Sequence, residues 1–494
     1  MTCANPPTRS HIQTEQAEEE KSPSDGLARE YGRRVAEFGY ADLPPDAVYW
    51  AKVGILDTVG VTLAGAQEPC ATLLANVISP HPGPSVVFGS PRTAPALDAA
   101  LINGTAAHAL DFDDCNNTLG GHPSVPVLPA LFALADETGV SGRDFVTAYV
   151  MGFEVETKLA MSVHFQHYTK GWHPTATLGV FGAAAACSRL LGLDADQTAT
   201  ALALAASSAA GIKVNFGTMT KPLHVGRCTR EGLLAALLTR AGYTANSARV
   251  FEHEQGFFEV YNGAGTYDAA RGVDAWADPL DIICPGLAIK QYPCCGSTHP
   301  AIDAAIEISR AHRPALEAIE RVDVWVHARR LQHTDRPAPQ SELDAKFSLQ
   351  YVIARALADA CVTLEHFENA AYLDAGIARL LGRIHVAAYG DDRFSPDNHF
   401  GGEVRVTLRD GRVLAAKVEQ PLGRTSANPM AADRLHAKFN SCAARVLDAA
   451  AIDAAYAAIQ RIETLADMRE LTRHLGGPGT RFAPGLKTGL PPNL

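Results

Sequence analysis

The sequence predicts a mainly α-helical protein with an α/β part, arranged as a large all-helical domain and a smaller α/β domain. Up to about residue 285, segments rich in Ala, Leu and Gly repeat apolar residues at helical spacing. The stretch 321–327 instead alternates with period two, which is typical of a half-buried strand. Asp410 and Gly411, between two further apolar runs, indicate a tight hairpin turn.

The helices of the first part are indicated by periodicity and by end signals. Leu27 and Tyr31 begin a one-sided apolar face. Ser141, followed three residues later by Asp144, is a capping arrangement, and Gly242 is a typical C-terminal stop. Helices are therefore predicted over residues 26–65, 95–110, 127–138, 141–161, 178–191, 198–210 and 227–241, with a short extended piece at 85–88.

The second part mixes strands with helices, which predicts an α/β module. Strands are expected at 321–327, 383–387, 403–408 and 413–418, and helices at 302–311 and 349–360. After Pro421 the chain returns to helix at 430–447 and 449–462, so we expect its end to pack on the first domain. The predicted organisation is a flexible tail at 1–25, a helical domain at 26–285, an α/β domain at 286–420 and C-terminal helices at 421–494.

Bulk composition restricts the class of protein. Of 494 residues, 47% are apolar and 20% charged, which is typical of a globular chain. The net charge of −11 argues against nucleic acid or an anionic membrane as the main partner. Ten scattered cysteines fit a reducing compartment. We expect no apolar run of the about 20 residues that span a bilayer, and residues 1–25 lack the features of a secretory signal, so a cytoplasmic protein is predicted.

The stretch 108–129 is the first candidate site. Burying charges is costly unless they are paired or take part in chemistry, and this stretch lies between apolar helices. An ordinary acidic junction between a helix and a loop is the alternative explanation. The stretch contains three carboxylates and two imidazoles, namely Asp111, Asp113, Asp114, His108 and His122.

Two later segments carry cationic candidates. His173 precedes Pro174 at a predicted helix start, a location that favours an anion or a neutral imidazole, although many His-Pro pairs are purely structural. Lys221 lies before the helix predicted at 227–241, where it could hold a carboxylate or phosphate; a solvated surface lysine is the alternative. The spacing of a phosphate-binding loop is absent.

The fourth candidate segment surrounds His299, which precedes Pro300 and another helix. Cys294 and Cys295 are adjacent, and adjacent cysteines rarely coordinate one ion, so we predict no metal site and expect both to pack as small buried side chains. A reactive thiol is the alternative. Three histidines with a lysine and an aspartate suit the binding of a polycarboxylate and the movement of protons.

Five motifs in this chain resemble the MmgE/PrpD family, in matching order over about residues 27–470. They are His-Ala-Leu-Asp-Phe-Asp-Asp, Gly-His-Pro-Ser, Gly-Trp-His-Pro-Thr, Gly-Thr-Met-Thr-Lys-Pro-Leu-His and Tyr-Pro-Cys-Cys-Gly-Ser-Thr-His-Pro. Activities known in the family are 2-methylcitrate dehydration, cis-aconitate decarboxylation and iminodisuccinate epimerisation.

The resemblance implies a helical domain built from both chain ends, an α/β lid at 286–420, a homodimer, and no metal or organic cofactor. Where the decarboxylase has a threonine, this chain has Cys115, which makes itaconate formation less favoured. Other motifs match the epimerase or the dehydratase more closely. Carried over by position, the site residues would be Asp111, His122, His173, Lys221, His299 and, from the lid, Tyr351.

The leading hypothesis is therefore a cofactor-independent hydro-lyase of the 2-methylcitrate dehydratase type, acting on a small di- or tricarboxylic acid. Lys221 and His173 would hold carboxylates, and Asp111 and His122 would form the acid/base pair. Closure of the lid would complete the site. An epimerase or isomerase of the iminodisuccinate type, a decarboxylase of the cis-aconitate type, and a non-enzymatic carboxylate-binding protein are the alternatives.

Overall fold

The computed structural model describes residues 26–480, and helices make up 55% of the structure. The predicted class, mainly α with an α/β part, is confirmed. The predicted flexible tail at 1–25 lies outside the described residues, as do residues 481–494 of the predicted C-terminal segment.

The first part of the chain forms a helical body. Ser141 caps its long helix α6 by accepting a hydrogen bond from the backbone N–H of Asp144, as the sequence predicts. Its helices are α1 (Leu27–Glu37), α2 (Pro45–Gly65), α3 (Pro69–Ile78), α4 (Ala96–Ala107), α5 (Ser124–Thr138), α6 (Gly142–Val163), α7 (Gln166–Lys170), α8 (Pro174–Thr177), α9 (Gly179–Leu190), α10 (Ala195–Ala206), α11 (Thr220–Arg240), α12 (Phe257–Tyr261) and α13 (Ala269–Asp274); strands β1 (Ser85–Val86) and β2 (Thr93–Ala94) form a short antiparallel pair.

Helix α11 begins at Thr220, earlier than the start predicted at residue 227. Pro222 falls in its first turn, where the missing N–H would have no partner within the helix and so costs little. Lys221 therefore lies inside the first turn of a long helix, and its side chain is buried.

Helix α2 is the exception to the expectation that no apolar run reaches membrane-spanning length. Its 21 residues are long and apolar enough to cross a membrane by length and composition. In the fold, 83% of its most apolar stretch is buried inside the protein, and the core helix of a globular protein passes the same test. The expectation about length was wrong because a helix surrounded by other helices is apolar on all sides.

The lid contains a four-stranded sheet in the order β4-β3-β5-β6. Strand β4 is parallel to β3, whereas β5 is antiparallel to both β3 and β6. Val322, Val324 and Val326 alternate into its apolar core, where α14 and α17 cover the sheet. The elements are α14 (His299–His312), β3 (Ile319–Val326), α15 (Ala328–Thr334), α16 (Glu342–Ala345), α17 (Leu349–Asp359), α18 (Ala375–Leu381), β4 (Ile384–Ala388), β5 (Gly402–Leu408) and β6 (Val413–Val418).

The last described helices return to the body. The apolar core of α1–α6 also includes Leu435 and Phe439, from the helix at 432–443, and Ile452, from the helix at 449–460. A separate core extends from Cys294 to Ala416 within the lid. The chain thus passes from the first core to the second before Cys294 and returns after Ala416. The C-terminal helices are α19 (Ala432–Ala443), α20 (Ala449–Gln460) and α21 (Arg469–Thr472).

Candidate active site

The acidic loop, residues 108–123 between α4 and α5, is held by three lysines from distant parts of the chain. The ammonium groups of Lys346, Lys290 and Lys438 donate to the backbone carbonyls of Leu110, Asp111 and Phe112 at 2.6, 2.6 and 2.8 Å. Buried carbonyls outside regular structure need donors of this kind. The lysines bring the loop into contact with the lid and with the C-terminal helices.

Asp111 lies between two of the cations. Its Oδ1 is 2.5 Å from the Nζ of Lys221, and its Oδ2 is 3.0 Å from the Nζ of Lys290. Burial alone would raise the pKa of the carboxyl group, but the two ammonium groups hold the pKa of Asp111 well below its usual range. Burial likewise opposes the charge of Lys290, whose pKa is raised by Asp111. This part of the site is therefore fully charged.

Asp113 accepts hydrogen bonds from two imidazoles on one oxygen. Its Oδ2 is 2.7 Å from Nδ1 of His108 and 3.0 Å from Nδ1 of His122. Burial opposes protonation of both rings. The Asp113 charge nevertheless raises the pKa of His122 to about 10, whereas burial lowers that of His108 to about 4. The trio contains one imidazolium and one neutral imidazole at neutral pH.

His122 connects the two carboxylates. With Nδ1 on Asp113, its Nε2 lies 3.9 Å from Oδ1 of Asp111. The Sγ atom of Cys115 is 3.8 Å from Nδ1 of His122. Burial raises the pKa of this thiol, but the charges of His122 and Lys290 outweigh it and leave the pKa lowered. Nε2 is thus the nitrogen from which His122 can give a proton to a bound molecule.

His173 lies beside this group in a neutral state. Its ring stacks on His108 with centroids 5.5 Å apart, and its Nδ1 is 3.3 Å from Nδ1 of His224. Burial and the nearby His108 and Lys221 lower the pKa of His173 well below its usual value. A buried neutral imidazole is suited to accept a proton rather than to hold a carboxylate by charge.

His299 occupies the first position of α14, at the border of the lid. Its Nε2 is 3.3 Å from the carbonyl of Cys294, and its ring meets the ring of Tyr292 edge-on. Burial, with a contribution from Lys290, lowers the pKa of His299 to about 3. Its described contacts are to its own segment, although Lys290 connects it electrostatically with Asp111.

Tyr351 is not brought to this group. Its hydroxyl donates to the backbone carbonyl of His366 and accepts from Nε of Arg355 at 3.1 Å, and its ring packs on Phe367. All of these residues belong to the lid. The prediction that Tyr351 contributes to the site does not agree with this geometry, because its polar atom is already occupied within the lid core.

Sequence reasoning missed the lysines that connect the loop to other segments. Lys290 stands alone after the apolar run 287–289, and Lys346 opens the motif that contains Tyr351. An isolated charge in an apolar setting is a signal that could have found both. Asp113 and His108 were recognised in the sequence but were not selected as site residues. In the structure both are buried, and Asp113 contacts both His108 and His122.

A metal ion is conceivable only at one place among the described residues. One ligand atom each from His108, Asp113 and His122 lies within 4.8 Å of the others. Bonds of 2.0–2.2 Å to a tetrahedral ion would separate ligand atoms by about 3.3 Å or more, whereas both imidazoles lie at hydrogen-bond distance from Asp113. The trio fits hydrogen bonding better than metal ligation, and the absence of a metal stays a prediction.

A cavity of about 850 Å³ lies between the lid and the C-terminal helices, and Phe112 of the acidic loop is part of its wall. Tyr292, Asp303, Arg310 and Arg434 line it, and none of the six predicted site residues does. The group around His122 is therefore selected by its chemistry and not by the size of its cavity.

The comparisons with known proteins identify the family of the chain. The MmgE/PrpD N-terminal domain and the MmgE/PrpD C-terminal domain match residues 29–270 and 292–463. Cis-aconitate decarboxylase from Homo sapiens is 31% identical over 442 residues, covering 86% of this chain and 89% of the human protein. The Mus musculus enzyme is 30% identical, covering 86% and 88%, and that of Aspergillus terreus is 26% identical, covering 93% and 98%. On these matches, the chain belongs to the MmgE/PrpD family of enzymes.

Proposed function

We propose that the protein is a cofactor-independent decarboxylase of a small tricarboxylic acid, with cis-aconitate as the first candidate. The relatives named above support this activity better than the hydro-lyase that the sequence favoured. The observation that carries the proposal is the imidazolium of His122, kept charged by Asp113 at Nδ1, while its Nε2 makes only a long contact of 3.9 Å with Oδ1 of Asp111.

The reaction needs one proton at a defined carbon. The C–C bond to one carboxylate breaks, and its electron pair forms a terminal double bond. The former double bond shifts its electrons to the carbon beside a remaining carboxylate, which takes a proton from Nε2 of His122. Carbon dioxide leaves, itaconate forms, and solvent returns the proton to His122. Lys221 and Lys290 neutralise Asp111 beside the site, so that its carboxylate does not repel the negative charge that develops on the substrate.

A hydro-lyase acting on 2-methylcitrate is the second candidate. The observation that favours it is His173, a buried neutral imidazole beside His108. A dehydration needs a base to remove a proton as well as an acid to protonate the departing hydroxide, whereas decarboxylation needs only the acid. Cys115, which stands where the decarboxylase has a threonine, made itaconate formation less favoured in the sequence.

Proton NMR of the purified protein in D₂O tests both candidates. Cis-aconitate, 2-methylcitrate, citrate and iminodisuccinate are offered separately, with His122→Ala and the exposed His312→Gln as matched variants. Two vinyl signals, one deuterium in the methylene group and release of CO₂ from cis-aconitate support decarboxylation. A methyl singlet in place of the methyl doublet of 2-methylcitrate, without CO₂, replaces it with the hydro-lyase. Deuterium exchange alone indicates an epimerase, and no change in any compound contradicts the proposed activity.

Two further expectations come from the sequence, the homodimer from the family resemblance and the location from composition and charge. We propose that the protein forms a homodimer and acts in the cytoplasm, without a nucleic-acid or membrane partner. Light scattering at micromolar concentration gives the mass directly, and a single chain of 52.5 kDa in solution would contradict the dimer.

A further inference from the structure

Two arginines next to the site have no carboxylate partner. Arg330, in α15 of the lid, donates to the carbonyl of His399 at 2.6 Å and to Oγ of Ser297 at 3.3 Å. Arg424, ahead of α19, donates to Oδ1 of Asn117 at 2.6 Å, and its buried Nε has no hydrogen-bond partner within residues 26–480. In the same part of the chain, no carboxylate oxygen lies within 4.0 Å of either guanidinium.

The two guanidinium groups contact the same aromatic ring. Their central carbons lie 4.8 and 4.6 Å from the centroid of Phe400. Burial and the charge of Arg424 lower the pKa of Arg330 to about 10, and burial lowers that of Arg424. Two partly buried cations side by side are costly unless an anion joins them.

The pair is continuous with the charged part of the site. A Cβ placed on Gly296 would be 3.9 Å from both Nη1 of Arg424 and Cε of Lys290. Lys290 in turn binds Asp111, and Asn117 belongs to the acidic loop. Gly296 thus leaves space between the ammonium that neutralises Asp111 and the guanidinium of Arg424.

We propose that Arg330 and Arg424 form a clamp that binds a substrate carboxylate remote from the bond that breaks. The assignment of that carboxylate to a tricarboxylic acid rests on the proposed function. A guanidinium matches a carboxylate with two parallel hydrogen bonds, which a lysine cannot provide. Ser297, whose Oγ is 3.0 Å from Nε2 of His333, supplies a neutral hydroxyl beside Arg330.

The clamp also predicts where the carboxylates of a bound substrate would lie. Lys221 is already paired with Asp111, so it is not a free cation for the substrate as the sequence suggested. The unpaired cations lie instead on the lid and on the segment that follows it. A tricarboxylate would therefore place one end near His122 and another between the lid and the C-terminal segment.

Calorimetric titration with propane-1,2,3-tricarboxylate tests the clamp without any reaction, because this compound has no double bond. The variants are Arg330→Gln, Arg424→Gln and Arg424→Lys; the exposed lid variant Arg321→Gln is the control. Each Gln variant is expected to raise Kd about 10- to 100-fold. Arg424→Lys should fall between wild type and Arg424→Gln, and the control should stay within about twofold.

A second titration uses methylsuccinate, which lacks one terminal carboxylate. The wild type should prefer the tricarboxylate about tenfold or more, and the Arg330→Gln/Arg424→Gln double variant should lose most of that preference. Thermal unfolding midpoints identify variants that fail to fold. If Arg424→Gln fails to fold, Kd is measured on the conservative variant Arg424→Lys instead. A wild type that does not bind the tricarboxylate, or folded variants that bind it unchanged, would overturn the clamp.

The clamp and the reaction fail separately. Arginine-dependent binding without turnover of cis-aconitate removes the proposed reaction and keeps the clamp. Turnover of cis-aconitate with KM unchanged in both Gln variants removes the clamp and keeps the reaction.

Discussion

Asp113 and Asp114 are consecutive and fully buried, yet their carboxyl groups are held in opposite states. Asp113 lies against the imidazoles of His108 and His122, and the hydrogen bonds from both rings, with the charge of His122, keep the pKa of Asp113 well below the usual range despite burial. Asp114 accepts a hydrogen bond from the hydroxyl of Ser124. Burial, with the nearby Asp57, raises its pKa well above the usual range.

The difference teaches that the partners of a buried carboxyl group decide its charge. The charged face of the acidic loop, toward Lys221 and His122, carries the groups that can move protons. The neutral face is an anchor, because Ser124 also bonds the hydroxyl of Tyr149 at 2.5 Å and connects α5 with α6. Changes on the first face should affect turnover most, and changes on the second face should not.

The largest expected effect is on the charged face. His122→Ala should lower kcat about 10²–10⁴-fold, since it would remove the proposed proton donor. Turnover of the substrate identified by NMR gives the measurement, with His312→Gln as the control. Activity of the Ala variant within a few-fold of wild type would exclude His122 from this role.

A matched pair of substitutions separates the two faces by stability. Asp113→Asn removes the counter-charge of a buried imidazolium and should lower the free energy of unfolding by about 3–5 kcal/mol. Asp114→Asn replaces a carboxyl group whose raised pKa favours the neutral form with a neutral group of the same shape, and should cost less than about 1 kcal/mol. Denaturant titration at pH 7 compares them, and equal losses would show that the faces do not differ.

The pH dependence of stability should show the same contrast. The folded pKa of His122, about 10, lies above its ordinary value of 6.5, so its contribution is complete below pH 6.5 and is lost as pH rises toward 10. Asp113, with its pKa lowered, contributes above its ordinary value and loses this contribution in acid. Between pH 7 and pH 10, the free energy of unfolding of the wild type should fall by about 3 kcal/mol at most, which unfolding midpoints report. The fall should be smaller in Asp113→Asn; an identical fall would contradict the charge assigned to His122.

The smallest effect is expected at Cys115. Its backbone pairs with Ala288 at 2.8 and 2.7 Å, so Cys115→Thr should leave the loop in place while replacing the thiol 3.8 Å from His122. A weakly bonded thiol suggests a change in kcat of less than about tenfold. The NMR assay also reports the product, and a loss above a hundredfold would make the thiol part of the chemistry.

Local signals allowed much of the fold to be predicted. The Ser141 cap placed the start of α6, and Asp410 with Gly411 placed the turn between β5 and β6, because both signals act within a few residues. The start of α11 was missed because Pro222 reads as a break, although a first turn tolerates it. A helix was predicted where α2 lies, but the length of its apolar run was underestimated. The burial that allows this length comes from neighbouring helices.

The sequence predicted which residues belong to the site better than it predicted which of them contact one another. Asp111, His122, His173 and Lys221 were selected from separate motifs, and the structure gathers them around the acidic loop. The sequence could not show that Lys221 neutralises Asp111 or that the hydroxyl of Tyr351 is used within the lid. Such contacts join residues far apart in the chain, and no local pattern encodes their distance.

The sequence by itself determined the mixture of helices and sheet, the family, and the types of residue in the site. These follow from periodicity, caps and short motifs, which depend on neighbours in the chain. Tertiary structure alone decided which carboxyl groups are charged, which lysines hold the loop, and where Arg330 and Arg424 meet. Those properties depend on burial and on charges a few ångströms away, and only the folded chain brings such groups together.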